Sequence, residues 1–204
     1  MLLGSAPASE TYVDDVFSTY LYTGTGSARS INNGINLSGK GGMTWIKDRG
    51  AAYNNSLQDT VRGAGKDKRL SPNLNSAQDG TDIDNYWAGY ISSFNNNGFS
   101  IDKEGSGAID WANYNKSGDK YSAWSFRKSA GFFDVVKYTG TGSARTVDHS
   151  LGCIPGMIII KRLDTADNWN VYHRNQHGSN SPGYYLQLNT TDSIGGAANR
   201  WNNT

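Results

Sequence analysis

The sequence predicts an all-β chain built as two tandem β-sandwich (jelly-roll-like) domains related by internal duplication. Residues 22–29 read YTGTGSAR and residues 138–145 read YTGTGSAR again, an eight-residue identity at a spacing of 116 (138 − 22). The apolar content comes in short bursts of β-branched and aromatic residues, separated by clusters of Gly, Asn, Ser and Thr, which is the pattern of short strands and turns. No stretch of helical length carries a 3.6-residue apolar period.

The repeat is longer than the octapeptide. Val16-Phe17 leads into the first copy and Phe132-Phe133 into the second. Gly42-Met43-Thr44-Trp45-Ile46-Lys47 aligns with Gly156-Met157-Ile158-Ile159-Ile160-Lys161 at an offset of 114 (156 − 42). Duplication of a non-catalytic module points to binding or scaffolding, because multiplied weak contacts give avidity.

Taken in order, residues 1–15 form a polar N-terminal tail. The Leu2-Leu3 pair is too short for a signal-peptide core and no positive region precedes it, so the tail reads as free or docked on a partner. Residues 16–22 (VFSTYLY) and 133–138 (FDVVKY) read as matching strands. Each enters Thr-Gly-Thr-Gly, a turn suited to positive φ, and a strand restarts at Ser30-Ile31 and Thr146-Val147, so each copy is expected to form a hairpin. Residues 43–47 and 157–161 are the most apolar strands. The run Met157-Ile158-Ile159-Ile160 suits a strand buried on both faces. Residues 56–61, 90–94, 99–101, 121–126 and 184–188 complete the set, with Asn95-Asn96-Asn97-Gly98 as a hairpin loop between Phe94 and Phe99.

These elements give a first domain over 16–128 and a second copy over 132–204, incomplete at its C-terminus. Trp201 matches Trp87, and the second copy carries no counterpart of residues 90–126. A sandwich lacking those strands has open edges, so the chain is expected to be the start of a longer polypeptide. The junction at 128–131 is short, which makes the two copies neighbours. Val135, Val136, Ile158 and Ile160 are expected to include core positions of the second copy.

A net charge of +1 with both signs interspersed argues against a nucleic-acid footprint. The densest basic stretch, Arg62, Lys66, Lys68 and Arg69, reads as a solvated loop. The single cysteine, Cys153, excludes an intrachain disulfide and a zinc site of several thiolates, and its apolar neighbours suggest a buried thiol. No run approaches membrane-spanning length, so no membrane insertion is expected.

Candidate chemistry is sparse. Residues 34–40 (GINLSGK) approach a phosphate-binding loop, but Gly41 stands where Ser or Thr is needed, and a strand follows where a helix should. Gly24-Thr25-Gly26 lacks the third glycine of a dinucleotide fingerprint. Asp79, Asp82 and Asp84 form a carboxylate cluster that suits Ca²⁺ or a solvated loop, without EF-hand spacing. His173 and His177 are four apart, but Arg174 replaces the glutamate of the zinc-protease pattern. Carboxylate pairs for glycoside hydrolysis stay open, since such groups need only meet in space. Of the six tryptophans, Trp45 and Trp124 lie in strong strand patterns and read as core, whereas Trp111 lies in a polar segment and is the candidate exposed binding aromatic. No catalytic residue, cofactor or cofactor-binding residue is assigned.

Residues 44–49 (TWIKDR), 57–66 (LQDTVRGAGK), 93–99 (SFNNNGF), 123–128 (AWSFRK) and 132–138, with Pro155-Gly156-Met157-Ile158, together resemble a repeated module of tailed-phage structural proteins, marine and cyanobacterial phages among them. The resemblance covers most of the chain from Tyr12 onward. It departs in the second copy, where the DTVRGAGK segment has no clear equivalent near residues 173–178. It implies a virion protein, the N-terminal part of a tail fibre or tail appendage that supports host adsorption, and not an enzyme. On this reading residues 1–15 anchor the chain to the particle. The partners are other virion proteins, a homo-oligomer is expected (a trimer if it is a fibre), and a host-surface glycan is a further partner. The alternative is a carbohydrate-binding, lectin-like module. Asp59 and Arg62 are expected to form a local structural pair.

Overall fold

The computed structural model describes residues 11–78, 89–102, 114–196 and 201. Residues 12–48 give α1 (Val13–Val16), β1 (Phe17–Thr23), β2 (Arg29–Asn32), α2 (Leu37–Lys40) and β3 (Gly42–Asp48). Then come β4 (Ser56–Asp59), β5 (Tyr90–Asn95), β6 (Gly98–Asp102) and β7 (Lys120–Arg127). The second half carries β8 (Met157–Ile160), β9 (Asn170–His173), β10 (Tyr184–Gln187) and β11 (Gly195–Gly196). The chain is all-β, with two single-turn α-helices and two short 3₁₀ segments among the described residues.

The first half is a sandwich. One antiparallel sheet has the order β1-β7-β3-β4 and the facing one β2-β6-β5. Its seven described strands are one fewer than the eight of a jelly roll. Alternation explains the core. In β3, Thr44 and Ile46 point inward while Met43 and Trp45 point out. Tyr22, Ile46, Tyr121 and Ala123 from one sheet meet Ile31, Ile91, Phe99 and Ile101 from the other in one buried cluster. Each large side chain buried this way contributes about 1.5–3 kcal/mol. Buried Gln58 links the layers: its Oε1 accepts from the Ile91 amide at 2.8 Å and the Tyr114 hydroxyl at 3.0 Å, and its Nε2 donates to the Gly65 carbonyl at 2.8 Å.

The octapeptide is not a hairpin turn. β1 pairs with β7 and β2 with β6, so residues 24–28 carry the chain from one sheet to the other. Local turn chemistry marks a reversal but not which long-range strand becomes the neighbour, and here β7 and β6 win. The 95–98 loop does close a hairpin, with Phe94 opposite Phe99.

The second half forms a separate antiparallel sheet, β11-β10-β9-β8. Residues 133–138 join no ladder beyond an isolated bridge between Ser129 and Phe133. The four expected core residues of this half are not buried: Val135 and Ile160 are half-buried, and Val136 and Ile158 are exposed. Cys153 is exposed too. For Ile158 and Ile160 the physical reason is shared: their counterparts Thr44 and Ile46 are buried against residues of β5, β6 and β7, and the described part of the second half holds no such strands.

The two halves do touch. Outward-facing Trp45 and Met43 join Leu57, Leu70, Trp169, Leu163 and Leu188 in a second apolar cluster. Trp45 is therefore half-buried at this contact and outside the main core, and Trp124 packs edge-on against it at 6.4 Å. Trp169 Nε1 donates to the Leu74 carbonyl at 2.9 Å, and the amides of Gln78 and Asp167 donate to the Leu163 and Asn75 carbonyls at 2.8 Å each.

Candidate functional site

Two segments of the second half repeat the strand register or the turn contacts of first-half segments, yet differ in what surrounds them. The first is a strand pair. In β3–β4, Met43 faces Asp59, Thr44 faces Gln58, Trp45 faces Leu57 and Ile46 faces Ser56. Adding 114 to each number gives Met157 with His173, Ile158 with Tyr172, Ile159 with Val171 and Ile160 with Asn170, which is the register of β8–β9. The other edge of β3 is covered by β7 along its whole length. Among the described residues no strand pairs with the other edge of β8.

The second segment is the octapeptide. Arg29 Nη1 donates to the Thr23 carbonyl at 3.0 Å while its guanidinium lies 5.8 Å from the Tyr22 ring centre. Arg145 Nη1 does the same to Thr139 at 2.8 Å, with its guanidinium 5.8 Å from the Tyr138 ring. Gly26 and Gly142 take the left-handed φ values of 68° and 74°. These turn conformations are encoded locally, by glycine where a Cβ is penalised and by an arginine reaching back over an aromatic face.

Around the first copy the packing is tight. Tyr22 stacks on Tyr121 at 5.1 Å, and its hydroxyl donates to the Tyr114 carbonyl at 2.5 Å. Burial, then the neighbouring Tyr121 and Tyr114, push the Tyr22 phenol well above its ordinary pKa. Fully buried Asn115 holds the turn, its Oδ1 accepting from the Thr25 amide at 3.0 Å and its Nδ2 donating to the Ser27 carbonyl at 2.6 Å. A Cβ on Gly24 would collide with the Lys116 carbonyl oxygen. Around the second copy there is open space: Tyr138 is 45% exposed, and a Cβ on Gly140 would meet nothing within 4 Å.

Together these features leave an apolar stretch of the second half, residues 132–159, in which Phe132, Val136, Tyr138, Ile154, Met157 and Ile159 are exposed. It is anchored on the first half by Asp134. Asp134 Oδ1 accepts from Lys128 Nζ at 2.7 Å and from the Val135 amide at 2.8 Å, and Oδ2 accepts from the Ser150 amide at 2.7 Å and hydroxyl at 2.8 Å. Burial pushes this carboxyl up, but the Lys128, Ser150 and Val135 donors outweigh it and hold the pKa at about 2. The depression beside it, about 410 Å³, is lined by Val61, Lys128, Asp134, Lys137 and His149 among others.

The residues singled out from sequence scatter. Trp111, and Asp79, Asp82 and Asp84, lie outside the described residues. Among the described residues no group of three or more His, Cys, Asp or Glu is placed to hold a metal ion. His173 ends β9, and His177 stacks on Tyr184 at 3.6 Å, so the two share no helix face. In the glycine loop, Asn36 caps the single turn α2 by accepting from the Gly39 amide at 2.9 Å, and Leu37 is buried. The basic stretch is not simply solvated. Arg62 pairs with Asp59 at 2.6 Å with both side chains 5% exposed, and Arg69 is buried. Sequence reasoning missed Asn115, Lys116 and Tyr121 as the groups that seat the octapeptide, though an exact repeat of a glycine-bearing octapeptide signals a shared packing demand.

No curated protein and no solved structure matches the chain. A family model matches residues 13–204, the stretch that holds every feature described above, and the chain belongs to that family, a domain of unknown function (DUF7483).

Proposed function

We propose that the chain is a structural protein of a phage particle, a component of a tail fibre or tail appendage that works by assembly. The observation that carries this reading is the set of exposed apolar side chains of the second half beside an edge of β8 that no strand pairs among the described residues. Exposed apolar side chains brought together suit a protein–protein contact, and an open edge is a template for strand pairing. The sequence resemblance supplies the particle. It also supplies the expectations of a homo-oligomer, threefold in a fibre, of anchoring through residues 1–15, and of a glycan on the host surface as the distal target.

The test is mass spectrometry of gradient-purified phage particles from the source genome, paired with a variant lacking residues 1–10. The reading expects tryptic peptides of this chain at a stoichiometric level, and loss of the truncated chain from particles. A chain absent from particles that binds a defined glycan on an array would replace this reading with the lectin-like one.

A further inference from the structure

We infer that the outer edge of β1 takes up a second copy of this chain, the two β1 strands pairing antiparallel about a twofold axis at Thr19. The inference goes beyond the assembly reading above, which names no contact between copies.

The Gly24 amide donates to the Asp119 carbonyl at 2.8 Å, one step beyond the end of the β1–β7 register. In an antiparallel ladder alternate residues turn both backbone groups toward the neighbouring strand. Ser18, Tyr20 and Tyr22 therefore face β7, while Phe17, Thr19, Leu21 and Thr23 turn their amides and carbonyls outward. The Thr23 carbonyl fits this phase, since it accepts from Arg29 Nη1 at 3.0 Å. Among the described residues no strand pairs with the outer edge of β1. The other outer edges of the first half carry features that discourage pairing. β5 has a bulge between Ile91 and Ser93, β2 is four residues long and opens on Arg29, and the β4 edge is taken at Leu57 by Leu70. β1 is seven residues long, runs without a bulge against β7, and holds no charge and no proline.

The strand's own chemistry selects the occupant and the register. Arg29 holds the Thr23 carbonyl, so Phe17, Thr19 and Leu21 are the residues that offer both outward groups to a neighbour. A twofold axis at Thr19 uses all three. It sets Thr19 opposite Thr19 and Phe17 opposite Leu21, a hydroxyl pair and an aromatic–aliphatic pair, both of which stabilise a ladder. Thr19 is exposed and Leu21 is 57% exposed. The same register brings Asp15, exposed just before β1, level with Thr23 of the second copy, where Arg29 sits. The twofold axis makes this pairing of opposite charges twice, and such pairs fix register. An axis moved toward Leu21 would need the Thr23 carbonyl that Arg29 occupies.

Sedimentation equilibrium of the full chain, from micromolar to millimolar, reads the association. The expected result is a monomer–dimer equilibrium. Asp15→Arg should weaken it by on the order of tenfold or more, because it sets like charges together, and the charge swap of Asp15→Arg with Arg29→Asp should restore it. Arg29 also lies over Tyr22, but a purely local role there predicts no rescue. Within one chain Asp15 and Arg29 sit at opposite ends of β1, about 20 Å apart, beyond the reach of screened charges. In a Cys153→Ser background, mild oxidation should cross-link two copies through Thr19→Cys, because directly opposed Cα atoms in such a pair lie about 5.5 Å apart. Thr23→Cys, exposed as well, should stay unlinked. Four results would overturn the inference: a monomer at millimolar concentration, a dimer indifferent to Asp15→Arg, a loss that the charge swap does not restore, or cross-linking of Thr23→Cys as readily as Thr19→Cys. None of these bears on whether the chain is found in particles, so the two readings fail separately.

Discussion

Replacing Arg62 by Met tests whether the DTVRGAGK turn is held by its buried ion pair. Asp59 Oδ2 accepts from Arg62 Nε at 2.6 Å, and Oδ1 accepts from the amides of Val61 and Arg62 at 3.0 and 2.9 Å. Arg62 Nη1 also donates to the Lys68 carbonyl at 2.7 Å and to Gln78 Oε1 at 3.2 Å, tying the 62–78 loop to the end of β4. Arg62→Met removes every side-chain donor and leaves a carboxylate 5% exposed with two backbone amides. Breaking a buried pair from one side costs about 3–5 kcal/mol, most of it the uncompensated charge. Asp59→Ala strands the guanidinium and also uncaps two amides, so it falls in the same range of about 3–5 kcal/mol. The double variant buries no charge, so it should cost less than the sum of the singles by at least about 1 kcal/mol. Urea unfolding followed by far-ultraviolet circular dichroism reads all three. Single losses below about 1 kcal/mol, the range of a solvent-exposed pair, or strictly additive losses, would refute the reasoning.

Asp134 gives a pH-dependent stability. Its folded pKa, about 2, lies below the unfolded 3.8, so its contribution is complete above 3.8 and is lost as pH falls toward 2. The shift corresponds to on the order of 2 kcal/mol; Asp134→Asn should cost that much at pH 6 and almost nothing near pH 2, and a carboxyl that titrates at or above 3.8 by NMR would contradict it. Trp169→Ala should cost about 3–5 kcal/mol and free the two halves from each other, seen as loss of protection at the amides of Gln78 and Asp167; unchanged protection at both would place the contact elsewhere.

The elements legible in the sequence were those whose signal is local. Alternation and β-branching located β1, β3, β5, β6 and β7 to within a residue or two, and Asn95 to Gly98 marked the one hairpin loop that closes as expected. What failed was pairing. The octapeptide looked like a hairpin turn because Thr-Gly-Thr-Gly reverses the chain. Whether the strand beyond joins the same sheet depends on β6 and β7, about 70 to 100 residues away. Met157-Ile158-Ile159-Ile160 looked doubly buried because an unbroken apolar run suits a covered strand, and sequence cannot say whether the cover is supplied within the chain. The buried polar framework of Gln58, Asn115 and the Asp59–Arg62 pair was equally hidden, apart from the pair, because an amide or charge is read as surface until its partners are known. The repeat itself was the most informative local signal: it placed two turns of matching conformation in different surroundings.

The central claim is that one strand pair occurs twice, completed by β7 in the first half and, among the described residues, open in the second. Residue-resolved hydrogen exchange on the free chain tests it by comparing β3 with β8 amide for amide. The account predicts that consecutive amides across β3 are protected, because both of its edges are paired, while β8 shows protection only at the alternate amides that face β9. Protection of every β8 amide to the level of its β3 counterpart, in dilute protein without any partner, would contradict it.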